Sequence, residues 1–309
     1  MARQTASQLP VPSSSGDPGV FAPAVRRQHR PHLERPDGTR AAGTAHRRCR
    51  AGPDHHSGPP LQKAFYDTWT LISYLAAQTR TVTFVPTVAS LPLRPPAMLA
   101  KAAASLDVLT SGRLQLGLGA GAFWEAIEAM GGPRRTKREA VDALDEAITV
   151  IRGMWSTQRS IRTTGRHYRV EGVHPGPAPS PNLGIWLGSL GPRMLALTGA
   201  RADGWLPSSS YLPFEQLGEA VHRLDTAATD AARDPPQLRK VYNLMGIIGP
   251  ENSTPFQGSV RQWADQITTA VTDHGMNGFV YWPADDHQRQ IDVFAHEVVP
   301  LACQALPTR

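Results

Sequence analysis

From about residue 61 onward, segments with strand-like and helix-like patterns alternate along the chain. This alternation is typical of a parallel β-sheet whose strands are joined by helices. The clearest helix is predicted over 137–155, because its apolar residues recur at spacings of three and four and form one face. These residues are Val141, Leu144, Ile148, Ile151 and Trp155. The pattern predicts an α/β fold.

Six strands are predicted after residue 80, over 81–88, 113–119, 184–188, 203–206, 240–248 and 277–282. Helices are predicted over 66–78, 96–106, 137–155, 192–200, 213–231, 259–274 and 287–303. Residues 156–183 interrupt the alternation with glycines and prolines, which predicts an insertion containing a small hairpin around His167-Tyr168. A closed barrel of parallel strands would need two more strands near the N-terminus. Gly19–Pro23 fits the first, whereas 40–53 shows no strand pattern for the second.

Positive charge is concentrated at the start of the chain. The formal net charge is +6, and residues 1–60 account for +5 of it, with nine arginines, no lysine and four acidic residues. A nucleic-acid groove needs its positive charge on a folded face, so we do not expect a nucleic-acid partner. Residues 25–52 carry few strongly apolar residues and cannot bury enough surface to offset their ordering entropy. We therefore expect an anomalous Arg/Pro-rich, poorly ordered segment at 1–52 and an α/β domain at 53–309.

Cysteine usage and hydropathy exclude several protein classes. The two cysteines, Cys49 and Cys303, are too few for a disulfide framework or a four-cysteine metal site. No apolar run has the length needed to cross a bilayer, and no apolar stretch of a secretory signal follows Arg3. We therefore expect a cytoplasmic protein without a membrane partner.

Five motifs in a fixed order carry a resemblance to a known family. The central motif is LPLRPPAMLAKAAASLDVLTSGRLQLGLGAG at 91–121. The others are Gly165-x-x-Tyr168, IWLGSLGP at 185–192, ADGW at 202–205 and GFVYW at 278–282. With these motifs, residues 53–303 resemble the bacterial luciferase-like oxidoreductases. The resemblance implies a (β/α)8 TIM barrel with an insertion around 156–183, a small organic substrate, and FMN or the deazaflavin coenzyme F420 as cofactor. Family members commonly dimerise, which implies a homodimer.

The cofactor segments implied by the resemblance lie at the ends of predicted strands, where TIM barrels gather their active sites. Gly119, Ala120 and Gly121 would let a flat ring or a phosphate approach the backbone, or they form a tight turn. Glu125 follows them on the substrate side. Gly188, Ser189, Leu190, Gly191 and Pro192 open a helix whose free N–H groups would hold the cofactor phosphate, or they form a simple turn. Thr87-Val88 resembles a bulge with a non-prolyl cis peptide that supports the back of the ring.

Pro53-Asp54-His55 resembles the end of the family's second strand. There His55 would act as proton donor or base, because imidazole titrates near neutral pH, and Asp54 would orient it or touch the cofactor. The alternative is a surface turn at Asp54-His55-His56. A metal site is disfavoured, because no third ligand lies at a helical or hairpin spacing.

The segment at 25–52 leaves two functional hypotheses open. Its Arg, His, Pro, Gly and Ala content is typical of GC-rich coding sequence translated out of frame, while GVFAP and PDHH on either side look like family sequence. We hypothesise that 25–52 is a frame-shifted or diverged piece that replaces the first barrel helix and second strand. The N-terminal part of the barrel is then either intact or disrupted. The chain is correspondingly either an active oxidoreductase, by hydride transfer or monooxygenation, or a catalytically impaired member that only binds a ligand.

Overall fold

The computed structural model describes residues 66–306. The predictions for Gly19–Pro23, the 25–52 segment and Asp54-His55 lie outside the described residues and stay predictions. None of the helices between residues 66 and 306 combines the length and apolar character that a membrane span requires.

Nine helices and eight strands follow one another in the described part of the chain. The α-helices are α1 (Thr68–Gln78), α2 (Pro96–Leu109), α3 (Trp124–Ala129), α4 (Lys137–Met154), α5 (Pro192–Arg201), α6 (Leu217–Asp230), α7 (Val260–Thr272), α8 (His287–Val293) and α9 (Val299–Ala305). The strands are β1 (Ala89–Ser90), β2 (Leu116–Gly119), β3 (Ile161–Thr164), β4 (Arg169–Val173), β5 (Ile185–Leu187), β6 (Gly204–Trp205), β7 (Arg239–Gly246) and β8 (Gly278–Pro283). A π-helical turn, Phe294–Val298, joins α8 to α9.

Six of the strands form one parallel sheet in the order β1-β2-β5-β6-β7-β8. Helices connect consecutive strands, as the alternating pattern predicts. On one face of the sheet Leu206, Val241 and Val280 pack together, and Val85, just before β1, joins them. Because β8 and the segment before β1 share this cluster, the sheet is curled. The described residues thus supply an α/β fold with six parallel strands, whereas a closed TIM barrel has eight.

The helices are delimited by local sequence signals. Asp67 caps α1 by accepting a hydrogen bond from the Thr70 N–H at 2.9 Å. Thr136 and Glu139 form a reciprocal capping box at the start of α4. Such caps satisfy N–H groups that a helix cannot satisfy itself, and each stabilises the helix by about 1 kcal/mol. The prediction of a long amphipathic helix at 137–155 is confirmed.

The predicted strand over 81–88 is wrong as a continuous strand. Phe84 makes a single bridge to Leu114, and regular pairing with β2 begins only at Ala89. Pro86 lies between them and has no N–H to donate to a ladder. Its carbonyl oxygen also approaches Gly117 so closely that a Cβ on Gly117 would lie 1.8 Å from it.

The predicted hairpin in the insertion is confirmed, and α4 holds it. The Glu146 carboxylate accepts hydrogen bonds from the N–H groups of Arg166, His167 and Tyr168 at 2.9, 2.8 and 3.0 Å. Burial raises the pKa of Glu146, but these three donors outweigh it, so the net pKa is lowered. Gly165 is needed here because a Cβ would lie 2.2 Å from the Glu146 carboxylate. The Gly165-x-x-Tyr168 motif therefore attaches the hairpin to α4 through the Glu146 carboxylate.

Three polar residues fix the connection between β1 and β2. Arg94 forms an ion pair with Asp67 at the start of α1. The buried Asp107 accepts the Ser180 N–H at 2.7 Å. Arg113 donates to four backbone carbonyls, those of Ala76, Thr79, Val82 and Thr110. These three residues therefore have a structural role in this connection.

Candidate functional site

Three of the predicted cofactor segments come together at the carboxyl ends of the strands. Thr87-Val88 leads into β1, Gly119–Gly121 ends β2, and the 188–192 loop follows β5. Because β1, β2 and β5 are neighbours in the sheet, these segments lie side by side. Carboxyl ends of parallel strands are where TIM barrels place their sites. The structure therefore brings together the segments that the resemblance implies, and their contacts with a cofactor stay a prediction.

Val88 is at the centre of this group. Its side chain is 39% exposed, and the Thr87–Val88 peptide bond is cis, as the resemblance implies. A Cβ on Gly119 would lie 2.6 Å from Val88 Cγ2, and one on Gly188 would lie 3.0 Å from Val88 Cγ1. The valine therefore lies directly against both glycines. Together they form a low apolar floor on which a flat aromatic ring can rest.

The loop after β2 needs a glycine at position 121. Its φ is +117°, in a region that side chains rarely adopt, and a Cβ there would lie 2.8 Å from the Trp124 ring and 2.9 Å from Pro92. Ala120 precedes it and is half-buried. Phe123 is 40% exposed and begins α3. The loop therefore turns sharply beside the valine floor and displays an aromatic ring.

Glu125 lies in the first turn of α3 and is paired. Arg134 Nη2 donates to its carboxylate at 2.9 Å, and the same arginine bonds Glu128. The carboxylate is more than half exposed. Its assignment to the cofactor stays a prediction. A ligand that bonds this carboxylate would compete with Arg134 for it.

The 188–192 loop forms the N-terminal end of α5. Gly191 is the N-cap residue, no side chain caps the helix, and Pro192 occupies its first turn. Gly188 N–H is used by the sheet, since it donates to the Leu118 carbonyl at 3.1 Å. The space where a Cβ of Gly191 would sit is open. Uncapped N–H groups and the positive end of the helix dipole favour an anion such as a phosphate.

The buried Ser189 holds this loop in place through two hydrogen bonds. Thr198 Oγ1 donates its only proton to the Met194 carbonyl at 2.7 Å, so the Ser189 hydroxyl is the donor in the 2.8 Å bond between the two hydroxyls. The Ser189 carbonyl in turn accepts from Trp205 Nε1 at 2.9 Å. Ser189 is 3% exposed. The polar groups that the loop presents at its outer side are therefore backbone groups, beside the exposed Leu190 side chain.

Arg193 is a neighbour of this loop that the sequence analysis missed. It lies in the first turn of α5, and its Nη2 donates to Asp142 of α4 at 2.8 Å. This hydrogen bond lowers the pKa of the Asp142 carboxyl. A basic residue in the first turn of a helix without a side-chain cap is the sequence signal that points to it.

A second group of residues missed by the sequence analysis lines a cavity of about 270 Å³ at the ends of β7 and β8. Its walls are Met245, Tyr281, Trp282, Pro283, Ala284, His287 and Ile291. Trp282 also packs against the inner cluster that contains Val85, three residues before Val88. The cavity is thus at the same carboxyl-end edge of the parallel sheet as the valine floor, and it is mostly apolar. The predicted proton donor His55 and its neighbour Asp54 lie outside the described residues.

Comparison with known proteins places these features in a family. Residues 51–277 match the family model of the luciferase-like monooxygenases. An F420-dependent hydroxymycolic acid dehydrogenase from Mycobacterium tuberculosis is 28% identical over 245 residues, covering 66% of this chain and 66% of the relative. A phthiodiolone/phenolphthiodiolone dimycocerosates ketoreductase from the same species is 30% identical over 225 residues, covering 71% of this chain and 56% of the relative. The chain thus spans less than two thirds of the length of these relatives.

Solved structures share the fold at lower sequence identity. An F420-dependent secondary alcohol dehydrogenase superimposes with a TM-score of 0.65 at 16% identity, covering 77% of this chain and 84% of that one. A long-chain alkane monooxygenase superimposes with a TM-score of 0.68 at 17% identity, covering 79% and 74%. Since the family model matches most of the chain and the fold agrees, this chain belongs to the luciferase-like monooxygenase family.

Proposed function

We propose that this chain is an oxidoreductase that uses coenzyme F420 to interconvert an alcohol and a ketone on an apolar organic substrate. The observation that carries the proposal is the valine floor of Val88, Gly119 and Gly188 beside the uncapped end of α5. A flat ring and a phosphate are the two parts that a flavin-type cofactor presents. A relative named as a dehydrogenase, another named as a ketoreductase, and an alcohol dehydrogenase of the same fold support this reaction class.

The residues present fit such a cofactor. The glycines allow a ring to approach the backbone, Val88 would support the ring, and the first-turn N–H groups of α5 would hold the phosphate. The deazaflavin would supply hydride chemistry, and the protein would supply binding, orientation and water exclusion. The apolar walls around Met245 and Trp282 would receive the substrate's hydrocarbon part. His55 stays the predicted proton donor, with Asp54 as its orienting partner.

A second candidate is an FMN-dependent monooxygenase, because the long-chain alkane monooxygenase shares the fold. Absorbance titration of the full chain with F420 and with FMN separates the two. We expect F420 to bind at least tenfold more tightly, and its visible absorbance to fall when a secondary alcohol is added. Tight FMN binding with oxygen consumption would favour the monooxygenase. Binding of neither cofactor would favour the catalytically impaired member.

The wider assembly is part of the same proposal. We infer that the full chain adds two strands to the six described ones and closes a (β/α)8 barrel, in keeping with its structural neighbours. We further propose a cytoplasmic homodimer, in line with the family resemblance. Sedimentation of the full chain tests the dimer.

A further inference from the structure

A larger cavity, of about 400 Å³, lies at the turn that follows β1. It is a cleft, open to solvent, between the turn after β1, the 130–135 connection between α3 and α4, and the β3–β4 hairpin. Most of its wall is apolar or backbone: Leu91, Pro92, Leu93, Pro95, Met130, Gly131, Gly132 and Pro133. Its size is typical of sites for small organic molecules.

The arginines around this cavity differ in whether their charge is neutralised. Arg94 is bonded to Asp67, and Arg134 is bonded to Glu125 and Glu128. Arg135 lines the cavity, yet it forms an ion pair with none of the carboxylates in residues 66–306. Its Nη1 is buried and has no hydrogen-bond partner in that same part of the chain. Arg135 thus supplies to the cavity wall a positive charge that none of the described carboxylates neutralises.

Tyr168 fixes the orientation of that charge. The Arg135 guanidinium carbon lies 5.3 Å from the centre of the Tyr168 ring, a distance at which the ring face attracts the cation. Burial raises the pKa of the Tyr168 hydroxyl, and the hydrogen bond and positive charge of Arg135 only partly oppose this, so the hydroxyl keeps its proton at neutral pH and can donate it. The hairpin that carries Tyr168 is itself held by Glu146. The Arg135 guanidinium and the Tyr168 hydroxyl are therefore both held in place by their surroundings.

The chemistry of the wall selects a ligand class. A guanidinium presents paired N–H donors that match the two oxygens of a carboxylate. One uncompensated positive charge balances one negative charge, and the apolar wall favours a ligand whose remaining surface is hydrocarbon. We propose that this cavity is a binding site for an organic monocarboxylate, with Arg135 and Tyr168 as its polar ligands. This site is separate from the cofactor site proposed above and does not depend on it.

The test uses hexanoate, 1-hexanol and inorganic phosphate as probes on the full chain without cofactor. Amide chemical shifts of Gly131 and Gly132 report on this cavity, and those of Gly188 and Gly191 report on the α5 end. We expect hexanoate to shift the first pair saturably, and 1-hexanol, which has the same chain without the charge, to bind at least tenfold more weakly. This comparison needs no variant, so it holds whether or not substitutions fold.

Arg135→Gln should lower hexanoate affinity at least tenfold, while Arg134→Gln, the adjacent and ion-paired arginine, should leave it unchanged. Thermal unfolding of both variants checks that they are folded. Equal binding of hexanoate and 1-hexanol would overturn the proposal. So would tighter binding of phosphate than of hexanoate, shifts confined to Gly188 and Gly191, or equal losses in the two variants.

Discussion

The two ends of the strand order, called here the glycine side and the aromatic side, differ in how their side chains pack. The glycine side, formed by the ends of β1, β2 and β5, presents Gly119 and Gly188 with only Val88 over them. The aromatic side, formed by β7, β8 and α7, is closed by fitted rings. Trp263 lies 5.1 Å from Phe256 and 4.9 Å from Tyr281 between ring centres, both edge-to-face. The glycine side has no side chain at Gly119 and Gly188, whereas the aromatic side packs large aromatic rings against one another.

The difference assigns different physical roles to the two sides. Edge-to-face rings add stabilisation beyond their buried area, so the aromatic side contributes strongly to folding. The Tyr281 hydroxyl is also fully used there, because it donates to Gln290 at 2.7 Å and burial raises its pKa well above the ordinary range. Glycines at the strand ends contribute little packing but leave room for a ligand. Substitutions should therefore change stability on the aromatic side and ligand affinity on the glycine side.

The largest effect is expected for Trp263→Ala. The ring is fully buried and touches Phe256, Tyr281 and Phe294. Its removal should lower the free energy of unfolding by about 3–5 kcal/mol, measured by denaturant titration. Met245→Ala on β7, where the side chain is 47% exposed, serves as the control and should change stability by less than about 1 kcal/mol. Similar losses in the two variants would contradict the division of roles.

Glu146→Gln tests a source of stability outside both sides, the contact between α4 and the β3–β4 hairpin. The carboxylate accepts three backbone N–H bonds, so the substitution should cost about 1.5–3 kcal/mol at neutral pH. Glu171→Gln, an exposed carboxylate in the same hairpin, should cost less than about 1 kcal/mol.

The pH dependence gives a second measurement of the same contact. The pKa of Glu146 is lowered in the folded protein, so its contribution is present above the ordinary value of 4.5 and is lost as the pH falls below that value. The stability difference between the native protein and Glu146→Gln should therefore shrink in acid. A difference that stays constant down to low pH would show that the carboxylate charge is not what holds the hairpin.

The sequence predicted the elements better than the contacts between them. The apolar spacing of α4 and the turn residues of the hairpin are local signals, and both predictions are confirmed. The prediction of a strand over 81–88 is wrong. The β-branched residues of this segment favour a strand, but Pro86 interrupts its pairing with β2. Sequence patterns report local preference, whereas strand pairing is decided by the partner.

Prediction of the site from the sequence has the same limit, because contacts between distant segments depend on the fold. The segments at 87–88, 119–121 and 188–192 were predicted from the resemblance, but only the parallel register places Val88 against both Gly119 and Gly188. Arg134 and Arg135 are adjacent in sequence and equivalent in type. Only the fold shows that the first is paired with Glu125 and Glu128 and that the second lines a cavity.

Gly119→Ala is the sharpest test of the valine floor. The added Cβ would lie 2.6 Å from Val88 Cγ2, so the valine must move into the space where a ring would rest. We expect about a tenfold loss of cofactor affinity in the absorbance titration, equivalent to about 1.4 kcal/mol. Gly249→Ala, where a Cβ meets nothing within 4 Å, is the matched control. Combining Gly119→Ala with Val88→Ala removes the overlapping methyl groups and should recover part of the affinity, whereas purely additive losses would argue against the floor.

Ser189→Ala should have the smallest effect, and it distinguishes a backbone phosphate site from a hydroxyl-assisted one. The Ser189 proton is committed to Thr198, because the Thr198 proton goes to the Met194 carbonyl. Losing that bond should cost about 1 kcal/mol of stability and should leave cofactor affinity within about twofold. A tenfold loss of affinity with unchanged stability would mean that the hydroxyl turns outward to the ligand. In that case the Ser189 hydroxyl would be a direct phosphate ligand, and the loop would have to rearrange on binding.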